Sequence, residues 1–282
     1  MKRSDGRRIK TMSPEYTIIP HIMKTRTGAM LFYTLELHEE IFNKYIKEKK
    51  TEGVSVSLMS ILMSLFVRIM ALRPAMNRFV MNGRVYARNN IQISITMKKE
   101  LSDEADEETI KFTFDGTENI FDVNDKINDE IRRLKKESET NETGNVAGML
   151  GRIPNFVARM GIAFLWFLDR HGIMPKAIIK ASPFHTSLYF TNLRSIKLDK
   201  LYHHLYDFGT TSIFISLGKS VMKPVVADGE IVKKRVFSLG LVFDERVCDG
   251  MYFSNTLRLF DEIVRNLPIL EERLEAKTED IK

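Results

Sequence analysis

Cysteine is almost missing from this sequence: Cys248 is the only one in 282 residues. A lone thiol excludes an intramolecular disulfide and any cysteine-based zinc cluster. With no disulfide to exploit an oxidising compartment, the expected location is the cytoplasm. Long apolar runs are missing as well. The richest, Gly161-Ile-Ala-Phe-Leu-Trp-Phe-Leu168, is stopped by Asp169 and Arg170, far short of the roughly 20 residues that span a bilayer. The opening Met1-Lys-Arg-Ser-Asp-Gly-Arg-Arg has no apolar stretch of the kind a secretory signal requires. Charge of one sign is not in large excess either. The 43 Lys and Arg against 37 Asp and Glu leave +6, too dilute at this length to argue for nucleic acid. There is no RNA-binding aromatic signature, basic helix or zinc-finger spacing. The acidic run Glu100, Asp103, Glu104, Asp106, Glu107 and Glu108 lacks the ligand pattern of a calcium loop and reads as solvated, so no metal is expected.

What is present is an alternation of helical and strand periods. Leu58, Ile61, Leu62, Leu65, Phe66, Ile69 and Met70 recur at three- and four-residue spacing, which predicts a helix ending before Pro74. Asn82-Gly83 between Arg78–Val80 and Arg84–Tyr86 predicts a hairpin. Ile91, Ile93 and Ile95, then Ile110, Phe112 and Phe114, alternate as strands. Phe121, Val123, Ile127, Ile131 and Leu134 mark a second helix, and residues 138–147 read as a loop. A third helix is expected over 154–170, starting at Pro154. Strands are expected at Thr186–Thr191, Thr211–Leu217 and Val232–Phe243. A last helix uses Phe253, Leu257, Phe260, Val264 and Leu267 and stops at Pro268. The tail, 271–282, is charged and expected to fray. No composition shift divides residues 1–270, so one α+β domain is expected.

The segment richest in chemistry is Ser238-Leu-Gly-Leu-Val-Phe-Asp-Glu-Arg-Val-Cys-Asp-Gly250. An apolar strand runs into Asp244-Glu245-Arg246, and a helix begins at once after Asp249-Gly250. Such strand-to-helix corners hold reactive side chains beside free backbone N–H groups.

Here the sequence resembles the catalytic core of the dihydrolipoamide acyltransferases of 2-oxo-acid dehydrogenase complexes, together with the related chloramphenicol acetyltransferases. Their Asp-His-Arg-x-x-Asp-Gly signature is matched by Asp244-Glu245-Arg246-Val247-Cys248-Asp249-Gly250 at every fixed position except the histidine. Thr186-Ser-Leu-Tyr-Phe-Thr-Asn-Leu193 is similar to the family's Thr-x-x-Ser-Asn-Leu-Gly segment, and Ile213-Phe-Ile-Ser-Leu-Gly-Lys219 to its Ala-Ile-Leu-x-x-Gly strand. Lys223-Pro224-Val225, Pro20-His21 and Arg73-Pro74-Ala75-Met76-Asn77 resemble further landmarks. The likeness spans roughly residues 5–268 and leaves no room for lipoyl or subunit-binding modules.

The resemblance implies a mixed sheet flanked by helices and a homotrimer with its active site between subunits. It also implies acyl transfer between coenzyme A and a small-molecule acceptor. Carried over, the base position is Glu245, the oxyanion donor is Thr191 and the structural acid, ion-paired in the family, is Asp249. Asn192, Gly250 and Trp166 are the candidate substrate-binding residues. A carboxylate can serve as base if burial raises its pKa. The alternative is a catalytically silent trimer that binds a ligand or a protein.

Other residues are weighed the same way. His203 and His204 are candidate replacement bases, against a hydrogen-bonded structural pair. Cys248, with no adjacent histidine, reads as a buried filler rather than a nucleophile. The aromatic helix around Phe156, Phe164, Leu165, Trp166 and Phe167 reads as core, with a pocket wall or a subunit contact as alternatives. Membrane contact is not expected, although the basic start and the 155–168 helix would together suit a membrane surface.

Overall fold

Period-2 and period-3.6 segments alternate along the chain. In the computed structural model, which describes residues 3–98, 107–139, 153–227 and 229–282, each becomes a regular element. The strands are β1 (Gly6–Arg8), β2 (Met30–His38), β3 (Arg78–Met81), β4 (Arg84–Arg88), β5 (Ile91–Lys98), β6 (Glu107–Phe114), β7 (Leu188–Asn192), β8 (Ile213–Leu217), β9 (Val221–Ala227) and β10 (Glu230–Asp244). The helices are α1 (Pro14–Ile22), α2 (Glu39–Thr51), α3 (Leu58–Leu72), α4 (Ile120–Glu139), α5 (Asn155–Arg170), α6 (Lys176–Ala181) and α7 (Gly250–Arg265).

The large sheet has seven strands, ordered β2-β10-β8-β7-β5-β6, with β9 paired to the first half of β10. It is mixed: β5, β7 and β8 run parallel, and the other pairings are antiparallel. A small antiparallel sheet, β1-β4-β3, stands apart. The β3–β4 hairpin turns at Asn82 (φ 50°) and Gly83 (φ 68°), the pair of left-handed residues that a tight two-residue turn demands.

One face of the large sheet carries the main core. Leu188, Phe190, Ile213, Ile215, Leu239 and Phe243 pack there under α3, whose own residues are buried nearly all round. Ser57 starts α3 by accepting the Ser60 N–H through its hydroxyl at 3.0 Å, the ordinary role of an N-cap. On the opposite face lies a smaller cluster of Tyr189, Leu205, Phe214 and Val242, covered by the irregular segment 198–211.

Three expectations need correction or restriction. The tail from Glu271 does not fray. Asp280 pairs with Arg78 at 2.5 Å, Thr278 N–H donates to the Ala71 carbonyl at 2.8 Å, and the Lys282 carbonyl accepts from Lys10 and Thr11. Backbone hydrogen bonds and a half-buried cation hold a segment that charge alone suggests is solvated. Helix α5 is not core: its first ten residues, 155–164, are exposed on every side, and only its last turn is anchored. Of the acidic run, Glu107 and Glu108 open β6; the rest of the run, and residues 140–147 of the expected loop, lie outside the described residues.

Segment 198–211 sets one strict backbone requirement. The Phe184 carbonyl accepts the N–H groups of Thr210 (2.9 Å) and Thr211 (3.2 Å), and the Thr211 hydroxyl. Gly209 reaches that position at φ 84°, and a Cβ there would lie 2.3 Å from the Phe184 oxygen. Gly209→Ala is expected to lose about 2 kcal/mol of stability or more, read from its urea midpoint. An unchanged midpoint would show that the segment can lift away at no cost.

Candidate active site

The Asp244–Gly250 motif is built at the carboxyl end of β10. The chain leaves the strand through a single 3₁₀ turn, Glu245–Val247, and enters α7. Asp244 has no solvent exposure. Its carboxylate accepts the N–H of Arg246 at 3.1 Å and then both arms of the same guanidinium, at 2.7 Å from Nε and 2.6 Å from Nη2. The remaining arm, Nη1, donates to the Met23 carbonyl at 2.8 Å just beyond α1. A second buried guanidinium, Arg26, lies 3.7 Å from Asp244. Its other arms donate to the carbonyls of Tyr206 and Val80. Burial pulls the Arg26 pKa down, with the Asp244 charge opposing that shift. Charge-assisted fork-to-carboxylate bonds of this kind are the strong class of hydrogen bond.

Glu245 sits on top of this clamp. It is half-buried and makes no hydrogen bond or ion pair among the described residues. Asp249 is structural in a different sense from the one the resemblance implies. It caps α7, accepting the Tyr252 N–H at 2.6 Å, and among the described residues it forms no ion pair; the motif's ion pair belongs to Asp244 and Arg246. Gly250 opens the helix, and a Cβ added to it would meet nothing within 4 Å. Cys248 is buried, 3.9 Å from the Met76 sulfur. Burial pushes its thiol up to about 12, so it is protonated at neutral pH and suited to packing.

Behind the motif is a cavity of about 480 Å³. Its walls include Pro20 and His21 of α1, Trp166 and Asp169 of α5, Phe208, and Arg246. The aromatic wall is a tilted pair, Trp166 and Phe208, with ring centres 6.2 Å apart and planes inclined by 33°. The polar wall is underpinned by a buried network. Arg3 bridges Asp5 (2.9 Å) and Asp169 (2.7 Å), and Asp169 also meets His185 Nε2 at 3.1 Å. Burial pushes the Asp169 carboxyl up, but hydrogen bonds and charge from His185 and Arg3 outweigh it and hold the group below its ordinary value. Among the described residues no cluster of three His, Cys, Asp or Glu side chains is arranged to hold a metal ion.

Neither a protein-family model nor a curated protein matches the sequence. Solved structures do match in fold. A probable dihydrolipoamide acetyltransferase from Listeria monocytogenes superposes with a TM-score of 0.55 at 14% identity, over 93% of this chain and 96% of that one. The Azotobacter vinelandii dihydrolipoamide acetyltransferase gives 0.55 at 10% identity, over 93% of both chains. The truncated catalytic core of a 2-oxoacid dehydrogenase multienzyme complex from Thermoplasma acidophilum gives 0.53 at 12%, over 92% and 99%. The fold is that of the dihydrolipoamide acyltransferase core. At these identities the likeness concerns architecture, and the chemistry has to be argued from the side chains.

The acyltransferase fold puts the remaining candidates in separate places. Thr191 and Asn192 close β7. Both are half-buried, and Asn192 Oδ1 is a buried acceptor with no hydrogen-bond partner. Thr191 is opposite Ser216 of β8, and Ser216 is opposite Gly240 of β10. From Gly240 to Glu245 the chain advances about 16 Å along the strand, with about 10 Å more across two strand spacings. Within one chain, therefore, Glu245 and Thr191 do not meet. His203 and His204 lie over the smaller core cluster. The His203 ring stacks on Phe214 at 4.2 Å and on His204 at 4.5 Å, and its Nδ1 donates to the His204 carbonyl at 2.8 Å. Sequence reasoning missed Arg3, Arg26 and the network around Asp169. The available signal was Asp169 itself, a lone acid ending an apolar helix, which needs a cation if buried.

Two outcomes are expected. Asp169→Asn removes one of the two carboxylates on Arg3, leaving it paired with Asp5 alone, and should cost roughly 1.5–3 kcal/mol. Because the Asp169 pKa is depressed below 3.8 in the folded state, this deficit should be constant above about pH 5 and shrink as acid protonates the wild-type carboxylate; a pH-independent deficit in urea titrations would contradict the pairing. Cys248 should resist iodoacetamide in the native protein and react fully in urea; fast native labelling would contradict its burial.

Proposed function

We propose that this chain is an acyltransferase, moving an acyl group between coenzyme A and a small acceptor, with Glu245 as base and Thr191 as oxyanion donor. The observation that carries the reading is Glu245: an unpartnered carboxylate at the strand-to-helix corner, on a backbone clamped by Asp244, Arg246 and Arg26, in the fold of acyltransferase cores. Asp244 is doubly bound by Arg246, Cys248 is a buried thiol and Asp249 is engaged in capping α7, which leaves Glu245 as the motif's one titratable side chain committed to no structural bond among the described residues.

Because Thr191 is remote from Glu245 within one chain, the reading requires the site to be completed between copies, consistent with the homotrimer that the family resemblance implies. Asn192, with its unsatisfied buried oxygen, would offer a substrate N–H or O–H an acceptor at the same end of β7. Gly250, free of steric demand from its own chain, leaves room for a substrate or a neighbouring subunit at the start of α7. The cavity walled by Trp166 and Arg246 is the space open to a small acceptor on the other side of the motif.

The energetics set the standard the site has to meet. A carboxylate of pKa about 4.3 facing a thiol of about 8.5 makes full proton transfer uphill by about 6 kcal/mol. Catalysis then depends on concerted proton removal and on oxyanion stabilisation, one donor being worth about 3 kcal/mol of barrier.

Thiol release from acetyl- and longer acyl-coenzyme A tests the reading. Glu245→Gln should lower turnover by about 100-fold or more, the usual size of a general-base contribution. Equal turnover in Glu245→Gln would remove Glu245 from the mechanism. If the wild type turns over no acyl donor while Glu245→His gains activity, the chain is the silent member of the fold and the enzymatic reading fails.

A further inference from the structure

Among the described residues, helix α5 is held against the body through its last turn. That turn is anchored by buried Asp169, bonded to Arg3 and His185, and by Trp166 against Phe208. Over its first ten residues it projects with large apolar side chains in solvent: Phe156 and Met160 are each 68% exposed and Phe164 59%, and Phe167 in the last turn is 52% exposed. At 3.6 residues per turn, Phe156, Val157, Met160, Phe164 and Phe167 fall within an arc of about 100°, opposite Asp169. The arc is bordered on one side by Arg159 and Arg170. Both are exposed, and among the described residues neither has an acidic partner. From Ile153 to Ser182 every exposed charged residue is a cation: Arg159, Arg170, Lys176 and Lys180. Nearby α1, which shares the cavity wall with α5, exposes Ile18 and Ile22 in the same manner.

An aromatic stripe bordered by arginines whose stems can run along apolar surface, and which pair with no acid among the described residues, is the pattern of a helix that lies in a lipid interface. A protein partner would have to leave these cations unpaired or supply acids beside a wholly apolar stripe; a bilayer of anionic lipids supplies both phases in one plane. No helix among the described residues is long and apolar enough to cross a membrane, so the contact is peripheral. We propose that α5 docks the protein flat on an anionic lipid surface, through the Phe156–Met160–Phe164–Phe167 stripe and its bordering arginines. This inference does not depend on acyl transfer at Glu245.

The test is flotation of the full chain with phosphatidylserine-rich vesicles and with phosphatidylcholine vesicles. Wild-type protein should float with the anionic vesicles at low salt and be released as salt screens the arginines. The double substitution F156D/F164D, at side chains that are more than half exposed, should cut partitioning by roughly ten-fold or more with the circular dichroism spectrum unchanged. Arg159→Glu should weaken binding to anionic vesicles only. Wild-type protein remaining at the bottom with anionic vesicles at low salt, or F156D/F164D floating like the wild type, would overturn the proposal. So would a drop in oligomeric state on sedimentation of F156D/F164D, which would make the stripe a contact between copies of the chain.

Discussion

A carboxylate with no access to water has to be matched by buried cations, and Asp244 is matched by two. That requirement ties together parts of the chain far apart in sequence. Arg246 reaches from the motif to the end of α1, and Arg26 reaches from beyond α1 to segment 206–207 and to β3. The corner carrying Glu245 is thus held on three sides before any substrate is considered. Each guanidinium also satisfies a backbone carbonyl that the irregular connections would otherwise leave unpaired, so the cluster solves a hydrogen-bond problem as well as a charge problem. Removing Asp244 would leave two buried cations facing each other. The motif's fixed Asp and Arg positions are therefore explained by architecture alone, without catalysis.

This separates what the fold needs from what chemistry needs. A histidine at position 245 would add nothing to the clamp, and Glu245 takes nothing from it. The corner can be kept intact while its half-buried reactive position changes, which is why a motif matching everywhere but at one residue still yields the acyltransferase fold. Thr191 differs, being held by parallel strands on both sides with a hydroxyl at the sheet's far end. The two groups are positioned by independent elements, and only the relation between neighbouring chains can bring them into one site.

The legible parts of the sequence were those with one clear period and a clear stop. α3 before Pro74, the Asn82-Gly83 hairpin, β5 with β6, and α7 before Pro268 lie where their spacing places them. The first 57 residues were hardly legible, and β2 shows why. It is an edge strand whose Leu31, Phe32 and Tyr33 are exposed in succession, so its apolar residues do not alternate. The tail misled because charge suggests solvation, whereas Asp280 finds Arg78 across some two hundred residues. In the site, the motif was readable because its residues are consecutive. The cavity was not, because Arg3, Arg26, Asp169 and Phe208 converge only in three dimensions.

Helix α5 misled for a deeper reason. Apolarity reports that a surface avoids water, not what it avoids water with, and a helix apolar over most of its surface is ordinarily assigned to the core. The decisive residue was the polar one. A buried Asp169 can be satisfied only where Arg3 and His185 are, which fixes the last turn of α5 against the body and determines the direction in which the rest points. With the acid turned inward, the stripe opposite it faces outward, and ten residues, 155–164, are exposed on every side. The anchor also sets Trp166 into the cavity wall, so the same buried carboxylate that exposes the aromatic stripe shapes the space behind the motif. The outward stripe of α5 and the cavity beside it are thus two consequences of one satisfied charge.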